Sequence, residues 1–263
     1  FPAPRKLLFA EDDRNEPALV SELGLDAQWA DDFHHAVRVT LTGEQDGYYA
    51  AYAPGAAGIA ETIRGGWFYR GQPYTAHADR KPRGKPADAL PAEALVYCIQ
   101  NHDQIGNRAL GERLCASVPV GAYQLASALL LFLPMTPLLF MGQEWAASSP
   151  FQFFTDHDAE LGPLISKGRR EEFKGFAAFA DPHLLAQIPD PQAAETFARS
   201  HLRWEEREVE PHRSTLALYT ELLRLRRTDP VLRAAGRLHP DEGRGFVIRL
   251  LRRAAAARRG ERQ

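Results

Sequence analysis

The chain has 263 residues, 44% of them apolar and 25% charged, and a formal net charge of −2. This balance can supply a sizeable core and provides no global field toward nucleic acid or an anionic membrane. The length suits one large α/β domain or two ordinary ones, and two cysteines, Cys98 and Cys115, cannot form a disulfide framework. Both sit in or beside apolar segments and read as reduced thiols of a cytoplasmic protein. The longest apolar stretch, residues 125–133, is too short to span a bilayer and reads as buried helix.

In chain order, Leu7-Leu8-Phe9-Ala10 is an apolar run followed by Glu11-Asp12-Asp13. A strand opens almost at once and residue 1 is Phe, so the sequence is expected to be a piece of a longer chain. Asn15 is expected to cap a helix starting at Glu16-Pro17, because Pro fits a first turn. Residues 25–29 form a weaker strand pattern ahead of Asp31-Asp32, and residues 33–41 read as a helix ending near Gly43. Residues 65–86, rich in Gly, Pro, Arg and aromatics, are expected to be a long loop. Leu95-Val96-Tyr97-Cys98-Ile99 is the next apolar run, and it ends in Asn101-His102-Asp103-Gln104. Residues 121–133 are apolar on nearly all sides, a buried helix stopped by Pro134. Leu138 to Gly142 forms a further strand-like run before Gln143-Glu144-Trp145, with a second loop expected to Gly168. Ser214 to Arg227 is an amphipathic helix. Past Gly236 the character changes: seven arginines follow Glu242, and residues 254–259 are of low complexity.

The pattern is strand-helix four times over, the order of a parallel sheet or barrel, and the continuous apolar runs suit strands buried on both faces. Polar chemistry then collects where such strands end. Glu11 and Asp103 both stand there. Paired carboxylates at one barrel end are what glycosidic cleavage requires: one protonates the leaving oxygen, another attacks or stabilises the oxocarbenium-like centre. His102 could donate to a sugar hydroxyl. Trp29, Phe33, Trp67, Phe68, Tyr69, Tyr74 and Trp145 could offer stacking surfaces. Blander readings compete with each of these. A Glu after an apolar run is commonly a solvated strand end, and Trp67-Phe68-Tyr69 reads more readily as loop packing than as a platform. Adjacent histidines on a helix point about 100° apart. His34-His35 is therefore a poor metal pair, with one ring expected to line a pocket and the other to pack. The basic tail lacks the interleaved aromatics of a nucleic-acid arm.

Asn101-His102-Asp103 after a buried strand resembles a signature of the α-amylase superfamily of glycoside hydrolases. Residues 10–15 and 25–35, with Trp29-Ala30-Asp31-Asp32-Phe33-His34-His35 at their heart, narrow the likeness. So do Leu41-Thr42-Gly43-Glu44, Gly47-Tyr48-Tyr49, residues 101–114, Met141 to Trp145, Pro150-Phe151, residues 154–157 and residues 168–173. Together they resemble the maltooligosyltrehalose trehalohydrolase family, strongly to about residue 175, more weakly to about 235, and not beyond.

The resemblance implies an α/β fold. Residues 1–235 would be the C-terminal half, strands five to eight, of a (β/α)8 TIM barrel. Residues 236–263 would be an Arg/Ala-rich tail, a truncated or divergent remnant of a C-terminal β-domain. It implies Glu11 as general acid/base and Asp103 as transition-state stabiliser. His102, Asn101, Asp32, Phe33, His34, Tyr49, Gln104 and Trp145 are expected to contact substrate. The nucleophilic Asp, in an Arg-x-Asp context on strand four, would precede Phe1. The activity implied is retaining hydrolysis of the α-1,4 bond joining a maltooligosaccharide to a terminal trehalose, in the cytoplasm. No metal, cofactor, nucleic acid or membrane is expected to take part, and this stretch alone is expected to be inactive. The alternatives are an α-1,4-glucan branching enzyme or amylase, against which Phe33-His34-His35 and Gly47-Tyr48-Tyr49 argue, a non-catalytic carbohydrate-binding remnant, or a nucleic-acid binder acting through the tail.

Overall fold

The structure, a computed structural model, describes residues 6–76, 78–173, 182–233, 239–242 and 248–251. Its strands are β1 (Phe9–Ala10), β2 (Ala27–Trp29), β3 (Gln72–Pro73), β4 (Pro82–Arg83), β5 (Leu95–Tyr97), β6 (Thr136–Pro137), β7 (His239–Glu242) and β8 (Ile248–Leu251). Its helices are α1 (Ala18–Ser21), α2 (Asp32–Thr42), α3 (Ala56–Gly65), α4 (His102–Gly106), α5 (Leu114–Ser117), α6 (Val120–Phe132), α7 (Leu161–Phe173), α8 (Pro182–Ala186), α9 (Ala194–Arg199), α10 (His212–Thr228) and α11 (Pro230–Arg233). The chain falls into two compact units. The first comprises Phe1–Ile99, Leu125–Leu138 and Thr220–Gln263; the second comprises Gln100–Gln124 and Leu139–Tyr219.

The first unit is built on a four-stranded sheet in the order β1-β2-β5-β6. Every pairing is parallel, with Phe9 opposite Ala27, Gln28 opposite Leu95 and Val96 opposite Thr136. Strands adjacent in space thus follow one another in the chain, as the strand-helix grammar predicts. Helix α2 presents Phe33 to the sheet, where it stacks on Tyr97 with ring centroids 4.4 Å apart. Ile59 and Ile63 of α3 are buried as well. Each such side chain contributes roughly 1.5–3 kcal/mol by leaving water. Helix α2 ends as its sequence predicts: Gly43 takes a left-handed φ of 71° and its N–H returns to the Val39 carbonyl at 2.9 Å. At the end of α6 the guanidinium of Arg226 donates to the carbonyls of Leu131, Leu133 and Met135. A cation thereby satisfies a carbonyl of the last helical turn and two just beyond it.

The second unit is helical and looped. Gln143 is fully buried and links Tyr123, whose hydroxyl donates to its carbonyl at 2.7 Å, to Tyr219, whose hydroxyl accepts from its side chain at 3.0 Å. Arg169 donates to the carbonyls of Gly106 and Arg108 and lies over the Phe173 ring. Phe140, Phe151, Phe154 and Phe197 meet edge to face in succession.

Several expectations need correction. Leu7 and Leu8 are exposed, 58% and 65%, because β1 is the edge strand of this sheet and its run is covered on neither side. The strand expected at Leu138 pairs two residues earlier, as β6; Leu138 continues the ladder only through its N–H to the Tyr97 carbonyl. The loop expected over 65–86 contains the antiparallel β3–β4 pair, and the one expected to Gly168 gives way to α7 at Leu161. Asn15 caps no helix: α1 starts at Ala18 with Pro17 at its N-terminal boundary, and the Asn15 side chain is engaged elsewhere. In the tail, β7 and β8 pair antiparallel; residues 234–238, 243–247 and 252–263 lie outside the described residues. Cys98 is a buried free thiol, pushed well above the ordinary range by that burial.

Candidate active site

Because β1, β2, β5 and β6 run parallel, their C-terminal ends share one edge of the sheet. Glu11 follows β1 directly and is exposed there. Its neighbour Asp12 is engaged locally: Arg14 donates to both carboxylate oxygens, and this bond holds the Asp12 carboxyl below its ordinary range. Asp13 is exposed as Glu11 is, so exposure does not choose between them; it is the resemblance that points to Glu11 as the proton donor.

Behind this loop lies a buried carboxylate. Asp32, at the start of α2, has no exposed surface. Its Oδ2 accepts from Asn15 Nδ2 at 2.8 Å, Phe68 N at 2.8 Å and Tyr69 N at 2.9 Å. Its Oδ1 accepts from the Tyr52 hydroxyl at 2.5 Å and faces Arg83 Nη2 at 3.5 Å. Arg83 also donates to the Tyr52 oxygen at 3.0 Å and lies over the Tyr74 ring. Burial opposes its charge, but Tyr52 and Asp32 beside it more than offset that and hold the guanidinium above its ordinary value. A buried charge persists only when so compensated.

Asp32 was expected to meet substrate; with these donors it is instead a structural hub. Phe33, expected at substrate, is covered by its stack on Tyr97. His34 is buried and its Nδ1 lies 2.9 Å from His35 Nδ1, so one ring donates and the other accepts. The expectation that one ring lines a pocket while the other packs thus fails: both are enclosed, and their Nδ1 atoms meet despite the helical offset. Burial first, with Arg83 adding to it and Asp32 opposing, lowers the His35 pKa to about 4. Tyr49 is buried beside His34 and His35. Trp67, Tyr69 and Tyr74 are buried too, so none offers a stacking face. Trp67 anchors its loop by donating to the Lys85 carbonyl at 2.8 Å.

In the second unit, Asn101 is buried and caps α4: its side chain accepts from Gln104 N at 2.8 Å. This cap fixes the turn on which His102 and Asp103 sit, both exposed. Gln104 is half-buried on the same turn, and Asn107 Nδ2 donates to Asp103 at 3.3 Å. Trp145 was expected at substrate but is 1% exposed, packed 5.1 Å from Trp204. The exposed Trp204 and Phe197, with Met141, Phe151, Phe154, His201 and Leu202, line a cavity of about 430 Å³. Residue-type reasoning missed Asn15, Tyr52 and Arg83. A single signal was available, a buried-side Asp following a strand, whose donors had to come from somewhere.

No family model matches the chain. It is 58% identical over 226 residues to the malto-oligosyltrehalose trehalohydrolase of Deinococcus radiodurans, covering 86% of this chain and 37% of that protein. It is 46% identical to the protein of the same name from Arthrobacter ramosus, over 90% of this chain and 41% of the other, and 36% identical to that of Saccharolobus solfataricus, over 84% and 37%. The chain thus spans about two fifths of the relatives it matches. Among solved structures it resembles a provisionally assigned alpha amylase from Salmonella typhimurium, with 38% identity and a TM-score of 0.76 over 87% of this chain and 39% of the other. The alpha-amylase of H. orenii, 14% identical with a TM-score of 0.52, shares the fold. Over the part it spans, the chain is a homologue of the malto-oligosyltrehalose trehalohydrolases, and its parallel sheet is part of an α-amylase-type α/β barrel.

Proposed function

We propose that this homologue of the trehalohydrolases supplies the acid/base half of a retaining glycoside hydrolase that frees trehalose from maltooligosyl trehalose. The observation that carries the reading is its 58% identity to a named trehalohydrolase over 226 residues. In this proposal Glu11, exposed at the end of β1, protonates the glycosidic oxygen as the bond to the departing sugar breaks, then removes a proton from the water that completes hydrolysis. Asp103, on the turn of α4 that Asn101 caps, stabilises the positive charge that develops as the ring flattens, and His102 and Gln104 present hydrogen-bonding groups beside it. The substrate would be an α-glucan bearing trehalose and the setting cytoplasmic; among the described residues no helix is long and apolar enough to cross a membrane. The resemblance gives these two acids roles other than the nucleophile's, and the chain spans about two fifths of its relatives, so the 263-residue chain by itself is expected to release no trehalose.

The test is Glu11→Gln in a full-length trehalohydrolase carrying this segment, with trehalose release followed by chromatography. The amide keeps the shape but cannot donate a proton in the needed sense. The expected loss is at least about 10²-fold in kcat with substrate still bound. Retained turnover would assign the acid elsewhere. Trehalose release by the purified 263-residue chain would overturn the need for a further carboxylate.

A further inference from the structure

The loop that follows Glu11 has almost no apolar anchor. Asp13 and Arg14 are exposed and Asp12 is half-buried; Asn15 alone of residues 11–15 is buried, 1% exposed. Its shape therefore rests on polar contacts, and these come from several separate elements of the first unit. Gln28 of β2 donates to the Asp12 carbonyl at 3.1 Å. Arg83 of β4 donates to the Asp13 carbonyl from both Nε, at 2.8 Å, and Nη2, at 2.6 Å. The Lys85 N–H reaches the Asn15 carbonyl at 3.1 Å. The Asn15 amide donates to Asp32 and, at 3.1 Å, to the Tyr69 carbonyl. Asn15 itself has a φ of 54°, a left-handed conformation that Asn tolerates better than most residues. The arrangement leaves no spare room. Gly84, with φ of 79°, passes so close that a Cβ there would sit 1.9 Å from the Tyr69 carbonyl oxygen and 3.1 Å from the Asn15 Cβ.

Arg83 and Asn15 are both seated on the buried Asp32 carboxylate. The exposed acid at the tip of β1 is thus tied, through its own following loop, to a fully enclosed charge. We infer that Asn15 and Arg83, seated on Asp32, are positioning residues that hold Glu11 in the orientation for proton donation. They touch no substrate in this scheme and act only through the loop. The inference rests on the assignment of Glu11 as the acid/base. Displacing such a group by about 1 Å can cost about 10²-fold in rate, so a clamp of this kind has a kinetic consequence separate from stability.

The experiment compares two substrates in a full-length trehalohydrolase carrying this segment: maltooligosyl trehalose, whose leaving oxygen needs a proton, and a maltooligosyl fluoride, whose leaving fluoride needs none. Asn15→Gly keeps the left-handed backbone and deletes the bonds to Asp32 and Tyr69; Arg83→Gln releases the Asp13 carbonyl by an independent route. The expected result for each is a fall of about 10- to 100-fold in kcat on maltooligosyl trehalose with KM within about 2-fold. The pre-steady-state burst of fluoride ion should stay within about 3-fold of the parent, because that step asks nothing of the acid. Equal losses on both substrates in both variants, the signature of a general structural role, would overturn the inference, and so would unchanged kcat on the glucan. Glu11→Gln run alongside separates the two levels. If it abolishes glucan turnover and spares the burst while Asn15→Gly changes nothing, the positioning role alone falls. If it leaves glucan turnover intact, the acid assignment falls and the positioning role falls with it.

Discussion

Among the charged side chains that each unit buries, Asp32 in the first and Arg113 in the second are the most enclosed, and the two are stabilised in opposite ways. Asp32 in the first unit receives amide, hydroxyl and backbone N–H donors and faces a guanidinium. Arg113 in the second unit is 1% exposed and donates to the carbonyls of Ser149, at 2.7 Å, and Met141, at 2.8 Å; its Nη2 has no partner. Among the described residues no carboxylate forms an ion pair with it, and burial pulls its pKa below the ordinary value. The first arrangement is a charge balanced by a charge. The second uses a cation as a multi-pronged donor to neutral oxygens, and its desolvation outweighs the Coulombic return from groups such as Glu144 and Glu206. The two centres serve loops of different kinds: Asp32 fixes the segment after Glu11, whereas Arg113 cross-links the turn after β6 to residue 149.

The largest expected effect follows from what each removal leaves behind. Asp32→Ala strands the Arg83 guanidinium and the N–H groups of Phe68 and Tyr69, and should destabilise the first unit by about 3–5 kcal/mol. Arg113→Met removes the uncompensated cation along with its bonds and leaves only two neutral carbonyls in want of donors. Its expected cost is smaller, about 1–2 kcal/mol. Thermal or urea unfolding of the two variants measures both. Equal costs would show that the balanced and unbalanced charges are energetically alike, and the contrast would dissolve.

The sequence carries these two centres unequally. The parallel order was readable from short apolar runs with turn or helix signals between them, although β6, Thr136–Pro137, lies just ahead of its expected run, and the end of α2 was readable because Gly43 is a local signal. Asn101, expected at substrate, instead caps α4, a helix that the apolar pattern does not mark. The hub was not readable. Asp32 looks like any polar residue after a strand, and its partners lie 17, 20, 36 to 37 and 51 residues away along the chain. Asn15 carried a valid local signal for a helix cap, yet the long-range bonds to Asp32 and Tyr69 won. Tyr74 and Trp145 misled for a related reason: they have the composition of a sugar-stacking surface, but large rings repay burial in area, and here they are core, as are Trp67 and Tyr69, whose run reads as loop packing in the sequence. Two of the exposed rings, Phe197 and Trp204, lie in a segment that carried no motif.

The smallest expected effect probes how the charge-balanced centre responds to pH. His35 is enclosed by Tyr48, Tyr49 and Tyr52, with His34 at its Nδ1 and Asp32 and Arg83 acting on its charge. Its folded pKa, about 4, lies below the ordinary 6.5, so between those values the unfolded chain binds the proton more readily. Stability from this group is therefore fully present above about pH 6.5 and declines as pH falls toward 4. Between pH 7 and 5.5 the expected loss is about 1 kcal/mol. Carboxylates such as Asp12, already held below 3.8, contribute to a different, more acid window. His35→Asn, whose amide can face His34 without titrating, should flatten the slope between pH 7 and 5.5 and leave the steeper acid limb in place. A slope unchanged in that variant would mean that His35 takes up its proton without loss of the fold. The enclosed histidine pair would then tolerate a charge next to Arg83 and so weaken the case that this region depends on strict charge balance.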